Sequence, residues 1–222
     1  MNASGSIGRS DLDGTNVNQT FITTGGSFVS GVAVDSYYIY WADNGAIGRA
    51  DLDGTNSITN FVQGVDAYGI AVSATYIYWT EIGGSNVGRA DIDGTNVVQN
   101  LVSGGSGAYG IALTTTNIYW ANYPGGTIGR ANLDGTGANQ NFIIDHGFPC
   151  GVSTDATHVY WASDVAGTIG VADLDGTNVN LDFITGAYSP AGIAVYPPAF
   201  LPPDNNDHFD NDCCPNNQHN GS

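Results

Sequence analysis

The chemically richest stretch of the chain is residues 145–150, where Asp145, His146 and Cys150 lie close together in sequence. A cysteine nucleophile needs a base that a third group holds in position. His146 lies four residues from Cys150, and the sequence around them contains no recognisable oxyanion-binding arrangement. His158 is the only other histidine before residue 204, so a catalytic centre built from several histidines is not expected. We therefore predict that the protein is not an enzyme, and a lyase or hydrolase centred on His146 is an alternative.

Acidic four-residue segments recur five times and invite a calcium hypothesis. The segments are Asp11–Gly14, Asp51–Gly54, Asp91–Gly94, Asn132–Gly135 and Asp173–Gly176. A calcium loop of the EF-hand type needs ligands at alternating positions over twelve residues, ending in a bidentate glutamate. Here the pattern stops after four residues and no glutamate follows, so these segments predict hairpin turns and no metal site.

A tail rich in Asp and Asn, residues 204–222, departs from the pattern of the rest of the chain. We predict a folded domain over 1–203 followed by this tail. Its acidic residues are candidate calcium ligands, and His208, Cys213 and Cys214 are candidate assembly or soft-metal residues, although zinc spacing is missing. Candidate N-glycosylation sequons begin at Asn2, Asn18 and Asn220. No resident cofactor is predicted.

The net charge excludes some classes of partner. Acidic residues number 21 and basic residues four, all arginine, so the formal charge is −17. Such a surface repels nucleic acid and offers no basic stripe that would release counterions. No apolar run has the length of a membrane span. The acidity, the absence of lysine and the abundance of Asn and Thr favour an extracellular or cell-surface location.

A repeat of about forty residues organises the chain. One segment, beginning GVAV at Gly31, returns from Gly69, Gly110 and Gly151. Three copies contain an I-Y-W element and the fourth contains V-Y-W, with the tryptophans at Trp41, Trp79, Trp120 and Trp161. Each copy predicts four short strands: G-I-A-V, I-Y-W-A, I-G-R-A-D and, after a D-G-T-N turn, a fourth strand. Four-stranded units that repeat radially are typical of a β-propeller.

The two ends of the chain supply the halves of one further unit. The chain opens with the third and fourth strands, SIGRSDLDGTNVNQTFI, and closes with the first strand, GIAV, from Gly192. Phe200, Leu201 and Pro202 then fall in the I-Y-W position. We therefore predict an all-β protein with five four-stranded blades, of which the closing blade is shared between the N- and C-terminal strands.

The Y-W-A-D and Y-W-T-E elements, followed by I-G-R-A-D and V-G-R-A-D respectively, resemble the YWTD repeats of low-density-lipoprotein receptors; the resemblance extends over residues 6–200. The resemblance implies a propeller that binds proteins and is not an enzyme. It also implies that the repeated Tyr-Trp, Arg and Asp positions, Asp43 among them, are structural. The chain departs from that family in having five blades rather than six, and in carrying Asn122 and Ser163 at the fourth YWTD position.

Two sets of residues recur at blade positions. The arginines, Arg9, Arg49, Arg89 and Arg130, share one position. We expect them to pair with the Asp or Asn two residues on, or with Asp43 or Glu81, as staples between blades; an anion-binding ring is the alternative. Aromatic residues precede the inner strands at Phe28, Tyr68, Tyr109, Phe148 and Tyr188. These form a candidate binding rim together with Asp145 and His146, and wedging between blades is the structural alternative.

The sequence thus predicts a non-catalytic extracellular propeller that acts as a structural or protein-interaction module. Its partner is a protein or further copies of itself, linked through the C-terminal tail into a surface fibre. A carbohydrate-binding propeller that uses the aromatic rim is a second hypothesis. Neither nucleic-acid binding nor membrane insertion is expected.

Overall fold

The computed structural model describes residues 5–26, 28–43 and 45–195. The regular secondary structure of these residues consists of β-strands joined by turns and loops, with no helix. The described residues therefore contain no helix that could cross a membrane. The strands are β1 (Ser6–Arg9), β2 (Asn18–Thr23), β3 (Val29–Val34), β4 (Tyr38–Asp43), β5 (Ala46–Asp51), β6 (Ile58–Gln63), β7 (Ala67–Val72), β8 (Tyr76–Glu81), β9 (Asn86–Asp91), β10 (Val98–Val102), β11 (Ala108–Leu113), β12 (Asn117–Asn122), β13 (Thr127–Asn132), β14 (Asn139–Ile144), β15 (Pro149–Thr154), β16 (His158–Ser163), β17 (Thr168–Asp173) and β18 (Asn180–Ile184).

The strands are grouped into five blades. The first blade contains β1 and β2, and the second to fifth are four-stranded antiparallel sheets whose strands follow chain order. The first strand of each complete blade packs beside the first strand of the next, in the order β3, β7, β11, β15. Sheets arranged radially in this way form a five-bladed β-propeller. The predicted fold class is confirmed.

Residues 191–193 continue the series of inner strands. A Cβ built on Gly110 would lie 2.5 Å from the Cys150 carbonyl oxygen, and one on Gly151 would lie 2.7 Å from that of Ala191. Gly151 therefore packs against residues 191–193 as Gly110 of β11 packs against β15. Within the described residues, β1 pairs only with β2. The strand predicted around Phe200 and the tail over 204–222 lie outside the described residues.

The core lies between neighbouring blades. Tyr40 and Ile47 of the second blade pack with Ile77 and Trp79 of the third, and all four side chains are fully buried. Equivalent clusters join the later blades, and another joins the first blade to the second. Truncating one such large apolar side chain typically costs about 3–5 kcal/mol, so the I-Y-W positions hold the blades together.

A glycine on the third strand makes room for each tryptophan. Trp120 of β12 lies directly opposite Gly129 of β13 in the antiparallel register. A Cβ built on Gly129 would approach the Trp120 Cε2 atom to 2.2 Å, which no real contact allows. The equivalent glycines of the other complete blades, Gly48, Gly88 and Gly170, likewise lie under an indole ring.

Antiparallel order gives the propeller two distinct ends. Turns from first to second strand and from third to fourth strand lie at one end, here called the turn end. Turns from second to third strand share the other end with the connections between blades, since strands two and four run in the same direction. This second end is called the connection end.

Candidate functional site

Hydrogen bonds between neighbouring loops tie the connection end together. The Tyr123 amide donates to the Gly107 carbonyl at 2.8 Å, and the Asp145 amide donates to that of Gly126 at 2.9 Å. The Ala187 amide donates to the Gly167 carbonyl at 3.0 Å. Each bond links a connection between blades to a turn between strands two and three. The loops therefore form a tied surface on which side chains can be held in place.

Four aromatic side chains lie in a continuous row on this end, the aromatic arc: Tyr68, Tyr109, Tyr123 and Phe148. Ring centroids are separated by 4.7 Å between Tyr68 and Tyr109, 4.9 Å between Tyr109 and Tyr123, and 5.7 Å between Tyr123 and Phe148. These separations and the tilted or edge-to-face orientations are those that aromatic pairs prefer. All four side chains are half-buried. The arc therefore keeps part of its surface open to a ligand while its rings support each other.

The arc borders the central channel, which has a volume of about 330 Å³. Tyr68, Tyr109 and Cys150 line the channel at equivalent positions, each directly before an inner-strand glycine. Burial, and to a lesser degree the Asp164 carboxylate, raises the pKa of the Cys150 thiol to about 11. Cys150 donates to the Phe148 carbonyl at 3.7 Å. The thiol is therefore protonated at neutral pH and unsuited to nucleophilic attack.

Three of the five predicted rim residues, Tyr68, Tyr109 and Phe148, belong to the aromatic arc. Phe28 and Tyr188 are exposed, at 43% and 100% of their surface, and do not join the arc. The positions equivalent to Tyr68 and Tyr109 in the other blades are Ser30, Cys150 and Ala191. Phe148 reaches the arc from a different position, through contact with Tyr123. Sequence reasoning missed Tyr123. The sequence does carry one signal for the other residues: Tyr68 and Tyr109 stand directly before the glycine of an inner strand, whereas Phe28, Phe148 and Tyr188 stand further from it.

Asp145 is not presented to a ligand, contrary to its prediction as a rim residue. It is buried, with 6% of its surface exposed. Its carboxylate accepts hydrogen bonds from Trp161 Nε1 at 2.7 Å, from Ser163 Oγ at 2.8 Å and from the Gly147 amide at 3.0 Å. His146 beside it is exposed, and its backbone has a φ of 61°. The structure thus gives Asp145 a structural environment and leaves His146 at the surface.

The indole N–H groups obtain their acceptors from different positions in different blades. Trp79 donates to Glu81 at 2.9 Å, Trp120 to Asn122 at 3.1 Å and to Gln140 at 3.0 Å, and Trp161 to Asp145 at 2.7 Å. The fourth YWTD position therefore supplies the acceptor in two blades. Where Ser163 stands at that position, Asp145 provides it instead. Trp41 Nε1 finds no acceptor among the described residues, and Asp43 of the same blade is buried.

The arginines stack on aromatic rings, which corrects the expected pairing with carboxylates. The guanidinium carbon lies over ring centroids as follows: Arg9 over Phe21 at 5.0 Å, Arg49 over Tyr38 at 4.1 Å and Phe61 at 4.0 Å, Arg89 over Tyr76 at 4.4 Å, and Arg130 over Phe142 at 4.9 Å. Within the described part of the chain, ion-pair geometry is confined to His158, which lies 3.5 Å from Asp155 and Asp173. Arg89 also donates to the Leu133 carbonyl of the next blade at 3.4 Å.

The acidic turns use their carboxylates internally. Five equivalent side chains, the turn aspartates, each accept from the amide and hydroxyl of the threonine two residues on, at 2.9–3.0 Å and 2.6 Å. The turn aspartates are Asp13, Asp53, Asp93, Asp134 and Asp175. The threonine hydroxyls lower the pKa of these carboxyls. No group of three or more metal-ligating side chains occurs among the described residues.

Several predicted residues cannot be placed. His208, Cys213, Cys214, Asn2 and Asn220 lie outside the described residues. Asn18, the remaining sequon, begins β2 and is exposed, and its side chain accepts from the Thr20 amide at 3.1 Å.

Charge at the connection end is acidic. Its loops carry Asp66 and Asp164 outside the core, together with His146, and no arginine. Asp164 adjoins the arc, because its amide donates to the Phe148 carbonyl at 3.2 Å. Its Oδ1 accepts from the Ser189 hydroxyl. The site is therefore a half-open aromatic surface with a carboxylate at its border.

Several solved structures share this fold. The chain is similar to a structure of a nidogen/laminin complex (TM-score 0.69, 21% identity, over 85% of this chain and 76% of that one). It is also similar to a catalytically inactive virginiamycin B lyase from Staphylococcus aureus with quinupristin (0.68, 20%, over 86% and 68%). A third is a gluconolactonase from Xanthomonas campestris (0.59, 20%, over 74% and 64%). No protein-family model matches the chain, and no curated protein matches its sequence. These likenesses show the fold alone, that of a β-propeller.

Proposed function

We propose that this protein is a non-catalytic interaction propeller that binds a partner at its connection end through the aromatic arc. The observation that carries the proposal is the arc itself: four half-buried rings in unbroken contact, two of them near the start of inner strands and two on tied loops. Large aromatic side chains that keep part of their surface open on a rigid scaffold are typical anchors of binding sites. The buried half of each ring holds the open half in place.

The chemistry of the same end favours binding over catalysis. The candidate nucleophile, Cys150, has its pKa raised to about 11. The candidate acid, Asp145, is occupied by Trp161, Ser163 and Gly147. Neither residue is therefore suited to be the acid–base partner of His146 that a lyase or hydrolase at this position would need. Enzymes do occur among the structures with this fold, so the His146 hypothesis is tested as an alternative.

A protein is the partner that we propose. The YWTD resemblance supports this choice, as does the likeness to a propeller solved in a nidogen/laminin complex. We further propose an extracellular or cell-surface location, which rests on the net charge of −17 and the absence of lysine. A glycan that stacks on the arc is the competing ligand.

The experiment compares the wild-type protein with three variants, Tyr109→Ala, His146→Ala and Tyr37→Ala. Tyr37 is the matched control, because it is 74% exposed and lies in a first-to-second-strand turn at the opposite end. Each protein is immobilised and exposed to extracellular extracts of the source, and to a glycan array. Retention of a defined protein by the wild type and the Tyr37 variant, but not by the Tyr109 variant, supports the proposal. Equal retention of the partner protein by all variants refutes the proposal. Binding to the glycan array without retention of any protein would show that the ligand is a glycan.

Self-assembly is a second candidate function, favoured by one specific observation. A cleft of about 390 Å³ lies between the first blade and β3, lined by Ile7, Gly8 and Gln19 on one side and by Val29 and Val32 on the other. Among the described residues no strand other than β2 pairs with β1. An unpaired strand edge accepts a strand from another chain. Light scattering with and without reductant, on the full chain and on a variant lacking 204–222, tests whether copies join through the tail; a monomer of unchanged mass in every case argues against it.

A further inference from the structure

We infer that the group received by the aromatic arc is a cation: a lysine or arginine side chain presented by a basic segment of the partner protein. This inference rests on the proposed function and names the chemistry of its ligand. Three features of the connection end support it: the faces of the rings, the sign of the surrounding charge, and the way in which this chain already treats its own cations.

The rings of the arc can face a cation with their electron-rich surfaces. Tyrosine and phenylalanine attract a cation placed within about 6 Å of the ring centroid. Tyr109 is central, with Tyr68 on one side at 4.7 Å and Tyr123 on the other at 4.9 Å. A cation placed above Tyr109 would contact that ring, and the half-buried rings on either side enlarge the aromatic surface around it. Tyrosine phenols are neutral near pH 7, and burial raises the pKa of Tyr68 and Tyr109 further.

The charges around the arc attract a cation and repel an anion. Outside the core, the connection end carries the carboxylates of Asp66 and Asp164 and no guanidinium group among the described residues. Both adjoin the arc: Asp66 lies two residues before Tyr68, and the amide of Asp164 is bonded to the Phe148 carbonyl. The Ser189 hydroxyl bonds Oδ1 of Asp164, and no donor among the described residues is bonded to Oδ2. Oδ2 is therefore available to a charged donor.

The chain also shows how it holds a cation between rings. In the second blade the guanidinium carbon of Arg49 lies 4.1 Å from the Tyr38 centroid and 4.0 Å from the Phe61 centroid. Similar stacking recurs for Arg9, Arg89 and Arg130. At the arc the same ring types are assembled, yet no arginine of this chain stacks on them. An external lysine or arginine would complete the arrangement that the blades form internally.

The test uses small probes so that polycation binding to a highly acidic surface cannot imitate the site. Choline chloride is compared with dimethylbutanol, its uncharged isostere, and with a methyl glucoside, each titrated by NMR against the full chain. We expect choline to bind the wild type with a dissociation constant of about 1–10 mM, and the isostere to bind at least about tenfold more weakly. Raising NaCl from about 0.05 M to about 0.5 M should weaken choline binding severalfold.

Variants assign the binding to the arc. Tyr109→Leu should weaken choline binding by at least about tenfold, and Asp164→Asn by about threefold to tenfold. Tyr37→Leu, the control at the opposite end, should bind as the wild type does. Equal affinity for choline and its isostere, binding of the glucoside alone, or no binding of any probe overturns the cation inference. If the probe results contradict a cation but the Tyr109 variant still fails to capture the partner protein, the proposed function stands. If the Tyr109 variant captures the partner and binds the probes as the wild type does, the proposed function and the cation inference both fail.

Discussion

Removing the Asp145 carboxylate should destabilise the fold strongly, although a sequence reading places this residue on a binding rim. The side chain is buried, with 6% exposure, and accepts from Trp161 Nε1, Ser163 Oγ and the Gly147 amide at 2.7–3.0 Å. It joins the connection that follows the fourth blade to the second strand of the fifth. Asp145→Ala would leave these donors without their acceptor in a site that water does not readily enter.

The magnitude follows from the number of orphaned donors. Each buried polar group left unsatisfied costs about 1–3 kcal/mol. Three buried donors would lose their acceptor, and partial relaxation of the loop keeps the total near about 3–5 kcal/mol. Asp145→Asn keeps one carbonyl oxygen and loses the acceptor on one side only, for which we expect about 1–2 kcal/mol. A domain of ordinary stability, about 5–15 kcal/mol, would survive the first change weakened.

Urea unfolding followed by tryptophan fluorescence measures these differences. Asp66→Ala is the matched control, since Asp66 lies in an exposed position of the equivalent connection two blades earlier, and it should change the free energy of unfolding by less than about 0.5 kcal/mol. The reasoning is refuted if Asp145→Ala costs no more than Asp66→Ala. Loss of partner binding at unchanged stability would restore Asp145 to the binding surface.

Four further predictions test the remaining features. Gly129→Ala should destabilise the fold by about 1–3 kcal/mol in thermal unfolding, because its Cβ would meet the Trp120 ring; a cost under about 0.5 kcal/mol would contradict this packing. A double-mutant cycle between Arg49→Leu and Phe61→Leu should give a coupling of about 0.5–1 kcal/mol that persists in about 0.5 M NaCl, and zero coupling would exclude stacking. With both tail cysteines replaced by serine, Cys150 should react with iodoacetamide at pH 7 about 100-fold more slowly than an ordinary thiol, since its pKa is raised to about 11; a normal rate would contradict its burial. The turn aspartates have a folded-state pKa below the unfolded 3.8. The stability that they contribute is therefore present above pH 3.8 and lost as the pH falls through the folded-state pKa. A urea unfolding midpoint that stays constant from about pH 6 to about pH 2.5 would disprove this prediction.

The fold could be predicted from the sequence because its determinants are local and repeated. Trp120 and its partner Gly129 recur in the same register in every complete blade, and each turn carries the same Asp and Thr. A pattern of period two within strands, repeated about every forty residues, leaves few alternatives to radially packed sheets. These are the elements in which side-chain direction follows from strand position.

The site was predictable only in part, because it lies where strand periodicity ends. Phe148 and His146 adopt positive φ values of 59° and 61°, and no residue count through such a loop predicts where a ring points. Tyr123 belongs to a turn between strands two and three, so its contact with Tyr109 joins segments that carry no sequence signal of proximity. Arginine and aspartate two residues apart suggested ion pairs, whereas the rings on both sides of Arg49 were the nearer partners.

The two ends of the propeller meet similar structural needs in different ways, and this difference supports placing the proposed binding site at the connection end. At the turn end, the hydrogen bonds from threonine to the turn aspartates recur unchanged in all five copies. At the connection end even a buried indole takes its acceptor from Glu81 in one blade, Asn122 in another and Asp145 in a third. Loops that meet the same structural demand with different residues are free to vary in what they expose. The aromatic arc lies on this variable end, where a ligand would find features that no other pair of blades reproduces.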